Sequence, residues 1–196
     1  MKKNLTKITM ISGIILIFYH FLKWYLTQFL TPFVMPFLSI AIHGWFFILL
    51  ILSIIHLARY KNPKPLIIQL IIITIWIYTP FTKIYTKLDF LIYKDDRKQV
   101  IELIEHKKLI PNVSYDNNQI HLPPKFKATS KGGGDVIVHY GNKNASVFFY
   151  TYRGLIDNFS GFIYSPNDVK PNEDDFNSIF RDIMKIEKNW YYVTSH

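Results

Sequence analysis

The stretch FLSIAIHGWFFILLILSIIHL, residues 37–57, decides the fold because it runs for 21 residues without a formal charge. At about 1.5 Å of rise per residue, a helix of this length spans the hydrocarbon core of a bilayer, which is roughly 30 Å thick. The basic break ARYKNPKP follows at residues 58–65, and a second apolar run, LIIQLIIITIWIYTPF, occupies residues 66–81. The two runs predict a pair of transmembrane helices joined by a short loop.

A third apolar segment precedes this pair, at residues 8–22, after the basic start MKKNLTK. The pattern is also typical of a secretory signal, but no small-x-small cleavage site follows it. Lys23 and the aromatic pair Trp24 and Tyr25 come next, and these residue types anchor helix ends at a membrane interface. We therefore predict three spans in an uncleaved chain, at about residues 8–30, 37–57 and 66–82.

The basic residues near these spans predict their orientation. Short loops rich in Lys and Arg stay on the cytoplasmic side of a membrane. The N-terminus carries three lysines before the first span, and the loop between the second and third spans carries Arg59, Lys61 and Lys64. Both are therefore expected in the cytoplasm of a multi-pass cell-membrane protein, which places the C-terminal portion outside the cytoplasm.

The charge distribution separates the spans from the rest of the chain. All 14 acidic residues lie at or after Asp89, whereas residues 1–82 hold seven basic residues and no acidic one. The net charge of +9 is therefore mostly a topology signal, and residues 83–196 have an excess of only +2. This excess argues against nucleic-acid binding, which needs clustered Lys and Arg. The absence of Cys excludes disulfides and thiol chemistry, and the richness in Ile, Lys and Asn is typical of bacterial AT-rich genomes.

Residues 87–196 have the composition of a small globular domain, and two amphipathic helices are predicted in it. The first runs from Asp95 to Leu109, with Pro111 as its stop. The second begins at Asn172 as N-cap and ends at Lys188, and its apolar residues recur at helical spacing. These residues are Phe176, Ile179, Phe180, Ile183 and Met184. Residues 189–196 are expected to add a strand or to lie on the membrane surface.

Between these helices, β-branched and aromatic runs alternate with Gly and Asn turns. The runs are DVIVHY (135–140), SVFFYTYR (146–153) and FSGFIYS (159–165), with a further extended piece near Ile120. They predict a three-stranded antiparallel meander. The predicted architecture is thus three transmembrane helices in residues 1–86 and an extracytoplasmic α+β domain in residues 87–196, with two helices flanking the meander.

Polar residues inside the spans are the first candidate site. At 100° per residue, Ser39 and His43 share one face of the second helix, and His20 lies on a polar face of the first. His20 and His43 are both expected near the outer boundary, where they could pair, bind a metal or respond to pH. The alternative is that they only pack and hydrogen-bond between helices. The spans contain no carboxylate, which argues against a proton-coupled transporter.

A second candidate lies in YRGLIDNFSG, where polar residues separate two aromatic strands. The alternative is a loop closed by an ion pair between Arg153 and Asp157. SKGGGD, residues 130–135, lacks phosphate-loop spacing and is expected to be a flexible turn. Because aromatic residues load both faces of the sheet, we expect an interaction surface for a partner there. Its residues are Phe148, Tyr150, Tyr152, Arg153, Asp157, Asn158, Phe162 and Tyr164.

These features favour a non-catalytic membrane protein whose outer domain binds another protein, in assembly, regulation or immunity to a toxin. An alternative function is a small channel or transporter subunit that uses His20 and His43. A third is a membrane-anchored hydrolase, which would need Arg153 and Asp157 to converge with His121 or His139. No cofactor or metal is expected, HExxH and GxSxG are absent from the sequence, and the oligomeric state is left open.

Overall fold

The chain forms two compact units, Met1–Tyr85 and Thr86–His196. The structure is a computed structural model. It describes residues 2–141, 145–154, 158–172, 176 and 179–195.

The first unit is helical. Helix α1 (Lys2–Tyr60) is interrupted at Thr31, whose φ of 62° and ψ of 152° are not helical. Thr31 precedes a proline, and the ring of a proline disfavours the α conformation in the residue before it. Helix α2 (Lys64–Tyr78) starts between two prolines, a position in which their missing N–H groups cost no helical hydrogen bond.

Two helical segments are long and apolar enough to cross a membrane, Asn4–Thr27 and Phe33–Tyr60. The next helix is α3 (Phe81–Glu105), and α2 and α3 are bent relative to each other. A third candidate span exists only if α2 and α3 are counted as one segment. These apolar helices are compatible with a membrane location. The number of spans stays a prediction, because α2 alone has only 15 residues.

Helix α3 begins much earlier than predicted. Thr79 is extended before Pro80, and α3 then runs without interruption from Phe81 to Glu105. The predicted start at Asp95 is therefore wrong, as is the predicted end at Leu109. The helix stops where Lys107 takes a left-handed φ of 56° and the backbone N–H of Lys108 bonds Leu103 O at 2.8 Å.

The second unit contains a six-stranded antiparallel sheet in the order β1-β2-β3-β4-β6-β5. Three strands coincide with the predicted ones, and three more join them, so the predicted three-stranded sheet is too small. The strands are β1 (Gln119–His121), β2 (Asp135–Tyr140), β3 (Ala145–Arg153), β4 (Phe159–Tyr164), β5 (Phe180–Glu187) and β6 (Trp190–Ser195).

The predicted final helix is wrong over residues 180–187, because β5 occupies that part of the chain. Strand β6 inserts between β4 and β5, so each of its edges is paired. The expectation of a strand at the end of the sequence is therefore confirmed. The acidic first turn of the predicted helix, at residues 173–175, lies outside the described residues, as does most of the predicted turn GNKN.

The sheet is covered on both faces. On one face, Phe90, Val100 and Ile104 of α3 pack against Phe149 and Trp190 of the sheet. The opposite face carries a smaller cluster of Phe148, Tyr150, Ile163, Phe176, Phe180 and Val193. One helix therefore flanks this sheet in the described part of the unit, whereas two were predicted.

Candidate functional site

The first unit brings the two predicted histidines together. His20 Nε2 and His43 Nε2 lie 3.3 Å apart, and both side chains are half-buried between the two halves of α1. Ser39 lies one turn before His43, with its hydroxyl 3.3 Å from His43 Nδ1. All three residues of the predicted polar cluster thus form one connected group.

The contacts of His43 determine which nitrogen carries its proton. His43 Nδ1 is 2.7 Å from the backbone oxygen of Ser39, and a carbonyl oxygen only accepts. Nδ1 must therefore be protonated, which leaves Nε2 of a neutral His43 as an acceptor. His20 Nε2 then donates to it, so the pair is satisfied with both rings neutral and no counter-ion.

Aromatic rings surround this pair. The Trp76 ring of α2 lies 5.6 Å from the His20 ring and 5.2 Å from the His43 ring, and Phe81 lies 5.3 Å from His20. Tyr19 approaches His43 edge-on at 5.9 Å. These rings form an apolar lining, which strengthens a hydrogen bond inside it.

The pair by itself supplies two ligands to a metal. Two nitrogens about 3.3 Å apart match the separation of neighbouring ligands around a tetrahedral zinc ion with Zn–N bonds of about 2.0 Å. Such an ion needs further ligands. Within the described residues, no group of three His, Cys, Asp or Glu side chains is positioned to hold a metal. The geometry therefore supports hydrogen bonding or proton exchange more directly than metal binding.

The second unit contains a polar pair that the sequence interpretation missed. Asp89 and Arg97 lie eight residues apart on α3, and both side chains are fully buried, with Arg97 Nη2 2.5 Å from Asp89 Oδ2. Arg97 also donates through Nε to Thr129 O at 3.0 Å, and its guanidinium lies 4.6 Å from the Phe162 ring. The bond from Arg97 to Thr129 O links the segment after β1 to α3.

Lys131 is a second cation beside the same carboxylate. Its Nζ lies 3.6 Å from Asp89 Oδ1 and 3.0 Å from Ala128 O, and its side chain is 7% exposed. Burial lowers the pKa of Lys131 from its usual value, although attraction to Asp89 acts in the opposite direction. One buried carboxylate thus faces two cationic side chains.

Arg153 has a partner that the sequence interpretation did not predict. It donates to Asp135 Oδ2 at 3.2 Å, and His121 Nδ1 lies 2.8 Å from the other oxygen of the same carboxylate. Asp157 lies outside the described residues. Two of the residues required by the hydrolase hypothesis therefore meet at Asp135, whereas the His139 ring lies near Phe176, at 6.4 Å.

The Ser130 hydroxyl, beside this cluster, makes its hydrogen bonds to backbone groups. Ser130 Oγ donates to Asp135 O and accepts from the N–H of Tyr150 at 2.9 Å. Gly132 and Gly134 follow with φ of 73° and 85°, where a Cβ would overlap the stems of Arg153 and Lys127. The loop SKGGGD is thus a packed turn held by Ser130, and its geometry does not present that hydroxyl as a nucleophile.

Three of the seven described residues of the predicted interaction surface are buried. Phe148 and Phe162 are 1% and 0% exposed and lie in different clusters on opposite faces of the sheet, so they cannot form one surface. Tyr150 is also buried. The remaining described members of the predicted surface are half-buried or exposed: Tyr152, Arg153, Asn158 and Tyr164.

The predicted topology signal lies in the connection between α1 and α2. Arg59 is in the last turn of α1, Lys61 has a left-handed φ of 52°, and Lys64 begins α2. All three side chains are exposed. Such a tight connection keeps three cations within a few residues, as the positive-inside argument requires.

Gln69 is a further polar residue that the sequence interpretation passed over. It is fully buried in α2 and donates through Nε2 to Phe46 O at 3.4 Å. The sequence does mark Gln69 as unusual, because it is the only amide side chain in the apolar run 66–81. Asp89 and Arg97 gave no such signal, since both residue types are common on exposed helices.

Comparison with known proteins adds no assignment to this geometry: no protein-family model, curated protein or solved structure matches the chain.

Proposed function

We propose that this protein is a multi-pass membrane protein of a bacterial cell membrane whose second unit lies outside the cytoplasm and binds another protein. The apolar segments Asn4–Thr27 and Phe33–Tyr60 support the membrane location. The exposed cations Arg59, Lys61 and Lys64 support a cytoplasmic loop between α1 and α2. An odd number of spans then carries the chain outward.

The observation that carries the binding proposal is the edge of the sheet at β5. In the described part of the unit, β5 (Phe180–Glu187) pairs with β6 on one side only. An edge strand leaves a row of N–H and C=O groups that can pair with an extended segment of a partner. With eight residues, β5 is longer than the opposite edge strand β1, which has three.

The side chains of this edge favour a selective partner. Arg181, Asp182 and Lys185 are exposed along β5, and charged edges resist indiscriminate strand pairing. Met184 is 42% exposed between them, and Ile179, just before the strand, is 79% exposed. A partner strand that matches these charges and covers Met184 would be accepted, whereas other strands would be rejected.

Photo-crosslinking in intact cells tests this proposal. A benzophenone amino acid replacing Met184 is expected to give a discrete adduct, identified by mass spectrometry. The matched control replaces Ile110, an exposed apolar residue outside the sheet. The same adduct at both positions, or none at Met184, would contradict binding at β5. An adduct of twice the chain's mass would identify a second copy as the partner.

The orientation is tested separately by shaving intact cells with a protease. A C-terminal tag is expected to be lost, and a tag at the N-terminus is expected to be protected until the membrane is broken. The opposite pattern would contradict the proposed orientation but would not affect the proposal that β5 binds a partner.

A second candidate function is favoured by the 3.3 Å contact between His20 and His43. In this alternative, the helical unit is a subunit of a small channel or carrier and the pair relays a proton. Replacing both histidines with Phe should then abolish proton flux into proteoliposomes. The control is Ser53→Ala, because among the described residues the buried Ser53 hydroxyl bonds only Leu49 O of its own helix, at 2.8 Å. Unchanged flux in the double variant would leave the histidines a packing role.

A further inference from the structure

Helix α3 carries an apolar stripe that faces away from the core of the second unit. Leu88, Leu91 and Ile92 are 51%, 57% and 60% exposed. Their spacing of i, i+3 and i+4 places them on one face. The buried residues Phe90 and Arg97 lie on the opposite face.

The stripe has a defined end. One turn after Ile92, the same face continues with Asp95 and then Gln99, which are exposed and polar. Apolar exposure is thus confined to the first part of α3, the part that directly follows the apolar helix α2. Three adjacent exposed aliphatic side chains form a contiguous patch, which is unusual on a surface that faces only water.

Lysines line one flank of this stripe. Lys83, Lys87, Lys94 and Lys98 recur at spacings of four and seven residues, which keeps them on one side of the helix. Lys87 and Lys98 are exposed, and Lys94 pairs with Glu187 at 2.7 Å while remaining partly open. A helix with an apolar face and a basic flank is the pattern of a segment that lies in the interface of an anionic membrane.

We propose that this stripe, Leu88, Leu91 and Ile92, inserts into the headgroup layer of a bilayer, where Lys87 contacts anionic lipid. Long lysine side chains can reach phosphate groups while their stems lie along apolar surface. The occupant is lipid because the stripe is continuous along the chain with the apolar helices and its flanking charge is positive. The proposal rests on the membrane location proposed above and is independent of the partner at β5.

The absence of Cys permits a direct test in the full chain. Single cysteines at Ile48, Leu91 and Lys98 are labelled with an environment-sensitive fluorophore after reconstitution into vesicles containing brominated lipid. Ile48 is an exposed residue of the Phe33–Tyr60 segment and reports insertion itself. We expect quenching at Ile48 and Leu91 and none at Lys98.

The outcomes separate the two proposals. Quenching at Ile48 without quenching at Leu91 overturns the interfacial assignment alone, whereas no quenching at either position overturns the membrane location as well. A Leu91→Cys chain that fails to fold is recognised by loss of amide-exchange protection in β4, and Leu88→Cys then takes its place.

The charge requirement is tested by lipid composition. Quenching at Leu91 is expected to be stronger in vesicles of phosphatidylcholine with phosphatidylglycerol than in phosphatidylcholine alone. Lys87→Gln should lower the ratio of inserted to water-exposed label about fivefold in the anionic vesicles. Lys170→Gln, a change at an exposed lysine elsewhere in the unit, should leave it unchanged. Equal quenching in both vesicle types would overturn the assignment to anionic lipid.

Discussion

The histidine pair of the first unit and the Asp89–Arg97 pair of the second unit are stabilised away from water in different ways. Both remove polar groups from water among aromatic rings. The histidines do so in a hydrogen-bonded chain that needs no charge and ends on the backbone oxygen of Ser39. Asp89 and Arg97 do so as opposite charges, with Lys131 as an additional cation.

The difference follows from the free energy that each pair loses when its side chains are removed from water. A neutral imidazole has a small desolvation cost, so one or two hydrogen bonds suffice. A buried ion costs several kcal/mol, by order of magnitude, and is tolerated only when its partner and its hydrogen bonds are all in place. Loss of one member should therefore be mild in the first unit and severe in the second.

The largest effect is expected from Asp89→Asn. The variant keeps the shape of the side chain but leaves the fully buried Arg97 without its counter-charge, at a cost of about 3–5 kcal/mol. Amide exchange in β4 and β6 of the full chain in micelles measures this loss. Asp95→Asn, at an exposed position of the same helix, should change stability by less than about 0.5 kcal/mol. Equal protection in the two variants would show that the pair is dispensable.

A smaller effect is expected where α1 and α2 pack closely. A Cβ at Gly13 would overlap the side chain of Ile72, so Gly13→Ala should cost about 1–3 kcal/mol. At Gly44, no atom of the described residues lies within 4 Å of an added Cβ, and Gly44→Ala should stabilise its helix by up to about 1 kcal/mol. Unfolding of the full chain in micelles measures both. Shifts of the same sign would mean that Ile72 moves aside freely.

The coupling between the histidines should be smaller again. In a double-mutant cycle of His20→Phe and His43→Phe, we expect a coupling energy of about 0.6 kcal/mol, typical of hydrogen bonds between membrane helices. A value above about 3 kcal/mol would equal that of a buried ion pair and would remove the contrast with Asp89–Arg97. Strict additivity would mean that the 3.3 Å contact contributes nothing.

The smallest effect concerns pH. Burial lowers the pKa of Lys131 in the folded chain below the unfolded value of 10.5. Between these two pKa values the unfolded chain binds more protons, so stability should rise with pH in this window. Relative to Lys131→Met, the parent chain is expected to gain stability as the pH approaches 10.5, as followed by amide exchange in β3. A parallel pH profile of the two chains would contradict this assignment.

The sequence predicted those parts of the fold in which the signal is local. Strands β2, β3 and β4 follow from β-branched and aromatic runs between turns, and the contact of His20 with His43 agrees with helix faces read at 100° per residue. Asp89–Arg97 escaped notice because the sequence interpretation divided α3 between the end of a span and a new helix at Asp95. An i, i+8 pair is visible only when the helix is continuous.

Strand β5 shows why a helix was predicted in its place. A regular strand alternates faces every residue, but β5 has irregular register with β6 between Phe180 and Asp182 and again between Lys185 and Glu187. A bulge lets residues three apart face the same side, and Phe180 and Ile183 do pack in one cluster. Such spacing is also that of a helix, and only the pairing of β5 with β6 decides between the two structures.

The position of β6 between β4 and β5 has a consequence for the order in which the protein is made. From β1 to β4, each strand pairs with the next strand along the chain, so these four strands can assemble in the order in which they emerge. Strand β5 emerges before β6 but pairs only with β6 among the described strands. Until Trp190 to Ser195 have emerged and docked on β4, β5 has no place in the sheet, and its apolar residues stay exposed to aggregation.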